Sequence, residues 1–310
     1  MISRSIFLAA AIAAAATRPA SAQAPATLRC ASAPDDDVSA FLLARDGGGF
    51  HRAGIEVSLE RSNSGAAVAA AVAGGSIDIG KSSIIALIAA HQRGLPFVIV
   101  APAGVYDGDR PDVAMLVAKD GALRTARDVV GKVVAVPALG DLYTIANSAF
   151  VDAAGAAWKE IRYLEMPSAS APEAVATHRV DAVTLATPAL FIALAAGKVR
   201  VLGHPFDAIA KHFLRAAWFT TKGVAEKNAD VVLRFRRTIE AASAGVNAHP
   251  EASIAALAAF TGQDAQLIAR MPRARAGTSL DVKLLQPTVD AAFRYGAIPA
   301  TFDAQELLVT

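Results

Sequence analysis

The sequence predicts an α/β protein made of two doubly wound lobes with a ligand cleft between them. Residues 28–101 alternate short apolar strands with helical segments at the spacing of βαβ units, which favours a parallel sheet with right-handed crossovers. The same alternation restarts at residue 119 and continues to residue 202. Beyond residue 216, one short strand is followed only by amphipathic helices, which must pack on a sheet that already exists. The chain therefore crosses between the lobes twice, and two crossings beside a cleft are typical of a hinge.

The elements of the first lobe follow from apolar runs separated by glycine- and proline-containing turns. Strands are predicted at residues 28–32, 55–59, 77–79, 97–101 and 113–117, and helices at 38–45 and 84–93, with a small Ala/Val helix that ends at Gly74-Gly75. Residues 105–112 are rich in turn-forming residues and are predicted to form a loop.

The second lobe and the C-terminal part are read in the same way. Strands are predicted at 132–136, 161–164, 182–185 and 199–202, and helices at 142–154, 171–178 and from 188 to Gly197. A strand at 216–220 and helices at 225–247, 250–260 and 280–295 complete the chain. We therefore predict that residues 23–118 and 211–310 form lobe one and that residues 119–210 form lobe two.

The first 22 residues are predicted to be a signal peptide that is cleaved near Ala22. Arg4 provides a short positive region, residues 6–16 form an apolar run of eleven, and Ala-Ser-Ala at 20–22 fits a signal-peptidase site. The apolar run is too short to span a bilayer. We expect a secreted protein that works in the periplasm.

Removal of this segment leaves a chain with no net charge. The whole sequence has 30 Lys and Arg against 28 Asp and Glu, and Arg4 and Arg18 lie in the part to be removed. A neutral protein argues against binding of nucleic acid. Any preference for a charged ligand must therefore come from local geometry.

Residues 62–83 (SNSGAAVAAAVAGGSIDIGKSS) are predicted to form half of the ligand cleft. They contain two short polar loops, at 62–65 and 81–83, and each loop stands just before an apolar helical pattern. Helix starts of this kind leave unpaired backbone N–H groups. Open α/β folds hold small ligands, anions most readily, at the carboxyl edge of the sheet, where these loops are expected.

The sequence contains no recognisable catalytic or metal-binding motif. P-loop, GxSxG, HExxH and CxxC patterns are absent, and the six histidines are scattered. The single cysteine, Cys30, lies in the first predicted strand and permits no intramolecular disulfide. We therefore expect a protein that is not an enzyme and that needs no catalytic residue, cofactor or metal.

Four segments resemble motifs of ABC-importer solute-binding proteins of the nitrate/sulfonate/taurine (NitT/TauT, SsuA-like) group, which also includes binders of thiamine-type pyrimidines. The segments are residues 49–57, 75–80, 128–136 and the helix pair at 231–250. The resemblance extends over the whole predicted mature chain. It implies the type II periplasmic-binding-protein fold, a small-molecule ligand, a monomer, and delivery of the ligand to a membrane permease with its cytoplasmic ATPase.

The resemblance also implies where the ligand-binding loops lie. In lobe one the matching positions are Asp36, Asp37, Ser64, Gly65, Lys81, Ser82 and Ser83, and in lobe two they are Leu139, Gly140, Asp141, Tyr143 and Thr187. The sequence departs from the family pattern in its three consecutive acids at 35–37, in Lys81, where a small or apolar residue is usual, and in Asp141, where serine or threonine is common.

These departures leave several ligands and roles open. An anion such as nitrate would be repelled by Asp37 and Asp141 unless Lys81 offsets them, whereas a taurine-like zwitterion or a pyrimidine could use the carboxylates. Two other functions use the same fold, a pyrimidine-forming enzyme and a protein that presents its ligand to a periplasmic sensor. The enzyme should have a cysteine cluster, and this chain has a single cysteine.

Overall fold

The computed structural model describes residues 25–309, so the predicted signal peptide lies outside the described residues. In residues 26–107 the strands are β1 (Ala26–Ser32), β2 (Ile55–Arg61), β3 (Ile79–Ser83), β4 (Phe97–Pro102) and β5 (Gly104–Asp107), and the helices are α1 (Ser39–Asp46), α2 (Gly49–Arg52), α3 (Gly65–Ala73) and α4 (Ile84–Gln92). Each of the first three strands is followed by a helix, as the βαβ pattern predicts.

The remaining elements continue this order. Residues 113–203 contain β6 (Val113–Ala118), β7 (Val133–Val136), β8 (Arg162–Glu165), β9 (Ala182–Ala186) and β10 (Val199–Gly203), with α5 (Leu142–Ala153), α6 (Ala171–Ala176) and α7 (Ala189–Ala195). Residues 212–294 contain β11 (His212–Leu214), β12 (Ala216–Thr221) and β13 (Arg275–Ala276), with α8 (Lys222–Lys227), α9 (Ala229–Ala248), α10 (Ile254–Thr261), α11 (Ala265–Arg270) and α12 (Val282–Arg294).

The strands form two five-stranded sheets and one small sheet. The first sheet has the order β2-β1-β3-β12-β4, and the second has the order β10-β6-β9-β7-β8. In the first sheet β1 is parallel to β2 and β3, whereas β12 lies antiparallel between β3 and β4. The mixed α/β architecture predicted from the sequence is confirmed.

The chain passes between the two sheets through β5 and β11, and these two crossover strands pair with each other. Their antiparallel ladder joins His212 to Asp107, Phe213 to Tyr106 and Leu214 to Val105. Both crossings therefore run side by side, which is the arrangement of a hinge.

The first sheet is buried on both faces. On one face, Trp218 of β12 is 1% exposed and stacks on Phe41 of α1, with 4.8 Å between ring centroids. On the other face, an apolar cluster includes Ile84 of α4 and Leu285 of α12, and it extends to Ile145 of α5 next to the second sheet. Burial of aromatic and aliphatic side chains of this size contributes about 1.5–3 kcal/mol each.

Three predictions of local structure were wrong. Residues 81–83 were predicted to be a loop but belong to β3, because β12 pairs with them from Trp218 opposite Lys81 to Ala216 opposite Ser83. The predicted loop at 105–112 contains β5, which is held by β11 and β13. The single helix predicted at 225–247 is divided at Asn228 into α8 and α9. In the first two cases the partner strand lies far along the chain.

The predicted lobe boundaries stay a prediction. Strand pairing places β6 in the second sheet, where it lies between β9 and β10. A division of the chain by sheets would therefore fall before Val113 rather than after Ala118. No helix among residues 25–309 is both long enough and apolar enough to span a membrane.

Candidate functional site

A cavity of about 310 Å³ lies where the ends of β1, β3, β9 and β12 meet the start of α5. We call the residues contributed by the first sheet and its connections the first wall and those contributed by the second sheet and its connections the second wall. The first wall consists of Asp35, Asp36, Asp37, Lys81, Ser83, Ile85, Arg215, Ala216 and Ala274. The second wall consists of Asp141, Leu142, Tyr143, Ala186, Thr187 and Phe206.

Two helices begin at the cavity, one from each wall. Ser83 caps α4 with its side-chain oxygen, which accepts a hydrogen bond from the Ala86 N–H at 3.4 Å. Asp141 caps α5, and its Oδ1 accepts from the N–H groups of Tyr143 at 2.9 Å and Thr144 at 3.2 Å. Serine and aspartate favour the N-cap position of a helix. Ser83 and Asp141 lie at the site because α4 and α5 begin there.

Asp35, the first of three consecutive acids after β1, is paired with Lys81. The Lys81 Nζ donates to both carboxylate oxygens of Asp35, at 2.7 and 2.8 Å. The Lys81 side chain is only 3% exposed. The positive charge of Lys81 is therefore already used within the first wall.

Asp36, the second acid, is held from behind the wall by Arg273. The guanidinium Nε of Arg273 lies 3.0 Å from both oxygens of Asp36, and its Nη2 lies 2.6 Å from Oδ1. The backbone N–H of Ala274 also donates to Oδ2 at 2.7 Å. Both oxygens of Asp36 are occupied, so this side chain acts in positioning the loop.

Asp37, the third acid, shares Arg215 with a carboxylate from the first crossover. Arg215 Nη2 lies 2.9 Å from Asp37 Oδ1, and Arg215 Nη1 lies 2.8 Å from Asp112 Oδ2. Burial alone would lower the pKa of Arg215, but the charges of Asp112 and Asp37 raise it above its usual range. Because the Asp112 carbonyl also accepts from the Thr187 N–H at 3.0 Å, this network connects both walls.

Asp141 is the acid of the second wall, and its environment differs from that of the other three. Burial raises its pKa from 3.8 to about 7, although the two amide hydrogen bonds act in the opposite direction. The charge of Glu165 raises this pKa further. Within residues 25–309, no lysine, arginine or histidine forms an ion pair with Asp141, and its Oδ2 accepts no hydrogen bond.

Seven of the twelve residues predicted for the site line the cavity. They are Asp36, Asp37, Lys81, Ser83, Asp141, Tyr143 and Thr187. The other five, Ser64, Gly65, Ser82, Leu139 and Gly140, lie outside the lining.

Four of the five residues outside the lining have other contacts. Ser64 caps α3 by accepting from the Ala67 N–H at 3.2 Å. A Cβ atom on Gly65 would lie 2.5 Å from the Oγ of the buried Ser82, so the start of α3 packs tightly against β3. The Leu139 side chain is 56% exposed, and its backbone N–H donates to Glu165 at 3.1 Å.

Sequence reasoning missed eight residues of the lining. They are Asp35, Ile85, Leu142, Arg215, Ala216, Ala274, Ala186 and Phe206. Asp35 belongs to the same run of acids as Asp36 and could have been included. Arg215 and Phe206 belong to no local motif. The one available signal was their position near residue 210, where the chain is predicted to cross back to lobe one.

A group of possible metal ligands lies apart from the cavity. One ligand atom from each of Asp107, Asp109 and His212 lies within 4.8 Å of the others, at the end of the crossover ladder. Asp109 and His212 are exposed. The expected absence of a metal site stays a prediction.

Comparison with known proteins identifies related sequences and folds. A family model described as NMT1/THI5 like matches residues 35–253. No curated protein matches the chain.

Solved structures of binding proteins superimpose on almost the whole chain. The periplasmic aliphatic sulphonate-binding protein SsuA of Escherichia coli has a TM-score of 0.75 and 24% identity, over 92% of each chain. The alkanesulfonate-binding SsuA of Xanthomonas axonopodis pv. citri, bound to MOPS, has a TM-score of 0.70 and 22% identity, over 92% of this chain and 98% of that one. The ligand-binding component of an ABC-type import system of Staphylococcus aureus has a TM-score of 0.75 and 13% identity, over 92% and 96%. The predicted periplasmic-binding-protein fold is confirmed.

Proposed function

Since the chain belongs to the NMT1/THI5-like family, we propose that it is the solute receptor of an ABC importer. In this role the protein captures a small polar molecule in the periplasm and delivers it unchanged to a membrane permease coupled to a cytoplasmic ATPase. It acts as a monomer, without catalysis and without nucleic acid.

The observation that carries this proposal is the cavity between two walls, which lies near the paired crossover strands that connect the two sheets. Its volume of about 310 Å³ suits a small organic solute. Polar groups from both walls face this space, so closure of the walls would surround the ligand. The Asp37–Arg215–Asp112 network connects a loop of the first wall to both crossings, which is where a hinge must move.

The ligand is proposed to be a sulfonate, taurine-like or related solute. The support is the fold shared with the aliphatic sulphonate-binding SsuA of Escherichia coli and the alkanesulfonate-binding SsuA of Xanthomonas axonopodis pv. citri. A thiamine-type pyrimidine is the second candidate, because Tyr143 and Phe206 place aromatic rings at the cavity, 5.6 Å apart between centroids. Presentation of the ligand to a periplasmic sensor would use the same cavity.

A thermal-shift screen tests the receptor function. Alkanesulfonates, taurine, nitrate and aminopyrimidines are added to the purified protein, with ATP and NAD as controls. A ligand at a hundredfold excess over its Kd stabilises the native state by about 2.7 kcal/mol, so one class should raise the melting temperature. No shift with any of the solutes, or chemical conversion of a bound solute, would contradict the proposal.

Location is tested separately on the full-length chain. Expression in a Gram-negative host should yield protein in the osmotic-shock fraction whose intact mass corresponds to a start at Gln23 or else at Pro25. Protein that retains Met1 in the cytosolic fraction would contradict a periplasmic role.

A further inference from the structure

The cavity walls contain more carboxylates than cations. Asp35, Asp36, Asp37 and Asp141 line the cavity, against the two cations Lys81 and Arg215. With the partners directly behind the lining, Asp112 and Arg273, the site holds five carboxylates and three cations. When Asp141 is ionised, an unliganded cavity therefore has a net negative charge.

Each of the three cations is already paired with a carboxylate, and one donor left over is the Nε–H of Arg215, which has no hydrogen-bond partner among residues 25–309. Lys81 donates to both oxygens of Asp35, and Arg273 donates to both oxygens of Asp36. Arg215 lies between two carboxylates, Asp37 and Asp112. An anionic solute that took one of these cations as its own partner would leave a carboxylate without its cation, in a pair that has at least one largely buried member.

Asp141 is the opposite case, since it has an oxygen that no protein group occupies. Its Oδ1 is held by the N–H groups of Tyr143 and Thr144, whereas its Oδ2 has no hydrogen-bond partner among residues 25–309. The side chain lies in the cavity lining. A carboxylate whose first oxygen is fixed presents the second oxygen in a defined position.

Helix capping does not explain a carboxylate at this position. Asparagine or serine would cap α5 as well as aspartate without placing an ionisable group in the cavity lining, and Ser83 caps α4 on the first wall with a neutral hydroxyl. A half-buried carboxylate without a cation costs free energy when it is ionised, and a positively charged ligand would reduce this cost.

We propose that the solute carries an ammonium or amidinium group and that this group binds Oδ2 of Asp141. The proposal rests on the receptor function proposed above and names the ligand class within it. Among the solutes proposed above, taurine-like zwitterions and aminomethyl heterocycles belong to this class, and the inference favours them over sulfonates without an amine. The rings of Tyr143 and Phe206 beside Asp141 suit the carbon skeleton of such a solute.

Pairs of probes that differ only in the amine test this proposal. Taurine is compared with isethionate, and 5-(aminomethyl)pyrimidine with 5-(hydroxymethyl)pyrimidine, by isothermal titration calorimetry at pH 8. At least one amine should bind tenfold or more tightly than its hydroxyl counterpart. Equal or tighter binding of the hydroxyl compound would overturn the proposal and leave the receptor function intact. No binding of any of the four probes would count against both.

A variant then assigns the effect to Asp141. We expect Asp141→Asn, which keeps the helix cap, to lose tenfold or more in affinity for the amine probe. The matched control is Asp281→Asn, because Asp281 is an exposed cap of α12 that accepts from the Lys283 N–H at 2.9 Å. The control should bind as the wild type does. If Asp141→Asn does not fold, Asp141→Ser serves instead, and wild-type affinity in either folded variant would overturn the proposal.

Discussion

The two walls of the cavity hold their carboxylates in different ways. On the first wall each of Asp35, Asp36 and Asp37 is paired with a cation that lies far along the chain. On the second wall Asp141 is held only by two backbone N–H groups of the helix that it caps. The comparison teaches that a carboxylate in a cleft is available to a ligand only if the protein has not already supplied its counter-ion.

The same difference separates structural from ligand-binding roles. Removal of one partner from a buried ion pair leaves an uncompensated charge and costs stability. Removal of a half-buried carboxylate that has no cation partner, such as Asp141, removes the free-energy cost of its desolvation. Variants on the first wall should therefore act mainly on stability, and Asp141 variants should act mainly on ligand affinity and on pH dependence.

The largest expected effect tests the pairing on the first wall. Arg215→Met leaves Asp37 and Asp112 without their shared cation and should lower the free energy of unfolding by about 3–5 kcal/mol. Urea denaturation measures this change. The control is Arg45→Met, because its pair with Asp46 lies at the surface and should contribute less than about 1 kcal/mol. A similar small effect of both variants would show that Arg215 is not an ionic partner of the site.

The second prediction concerns the pH dependence that Asp141 imposes. Its pKa is raised in the folded state to about 7, so the folded state binds the proton more tightly than the unfolded state does. The free energy of unfolding should therefore fall as the pH rises from about 4 to about 7, and it should not change further above that range.

The contribution of Asp141 to the pH dependence of stability is measured by comparing the wild type with Asp141→Asn. Between pH 5 and pH 8, wild type should lose about 2 kcal/mol more than Asp141→Asn, since a shift of one pKa unit corresponds to about 1.4 kcal/mol. An amine ligand should reverse this dependence of the free energy of unfolding on pH. The ligand binds the ionised form of Asp141, so its affinity should increase as the pH rises through 7. If the free energies of unfolding of the two proteins change in parallel between pH 5 and pH 8, Asp141 is already ionised at pH 5.

The smallest expected effect tests the loops that the structure places outside the lining. Gly65→Val puts side-chain atoms where Ser82 Oγ lies 2.5 Å from a Cβ and should destabilise the protein by about 1–2 kcal/mol. Because neither residue lines the cavity, the ligand affinity of the folded variant should stay within about threefold of wild type, less than 1 kcal/mol.

The control for this variant is Gly223→Ala in α8, where a Cβ meets nothing within 4 Å. We expect this control to be neutral or slightly stabilising, because alanine favours a helix more than glycine does. Loss of binding in a folded Gly65→Val protein would return residues 64 and 65 to the ligand site.

Much of the fold could be predicted because its signals are local. The strand at 28–32 and the helix at 84–93 were each predicted within two residues of their observed bounds, since alternation of apolar residues and turn-forming glycines acts over a few positions. The polar starts of α4 and α5, at Ser83 and Asp141, were predicted for the same reason. Where an element depends on a distant partner, as β3 does on β12, the local pattern was not sufficient.

The sequence by itself determined which residue types the cleft would contain, namely small polar residues and carboxylates at the ends of strands. The tertiary structure alone decided which of those carboxylates is neutralised. Lys81 lies 46 positions from Asp35, Arg215 lies 178 positions from Asp37, and Arg273 lies 237 positions from Asp36. Ion pairs form between groups that are close in space, and the electrostatic energy depends on that distance and on burial, neither of which a linear pattern contains. Asp141 has no such partner within residues 25–309, and this is apparent only in the folded chain.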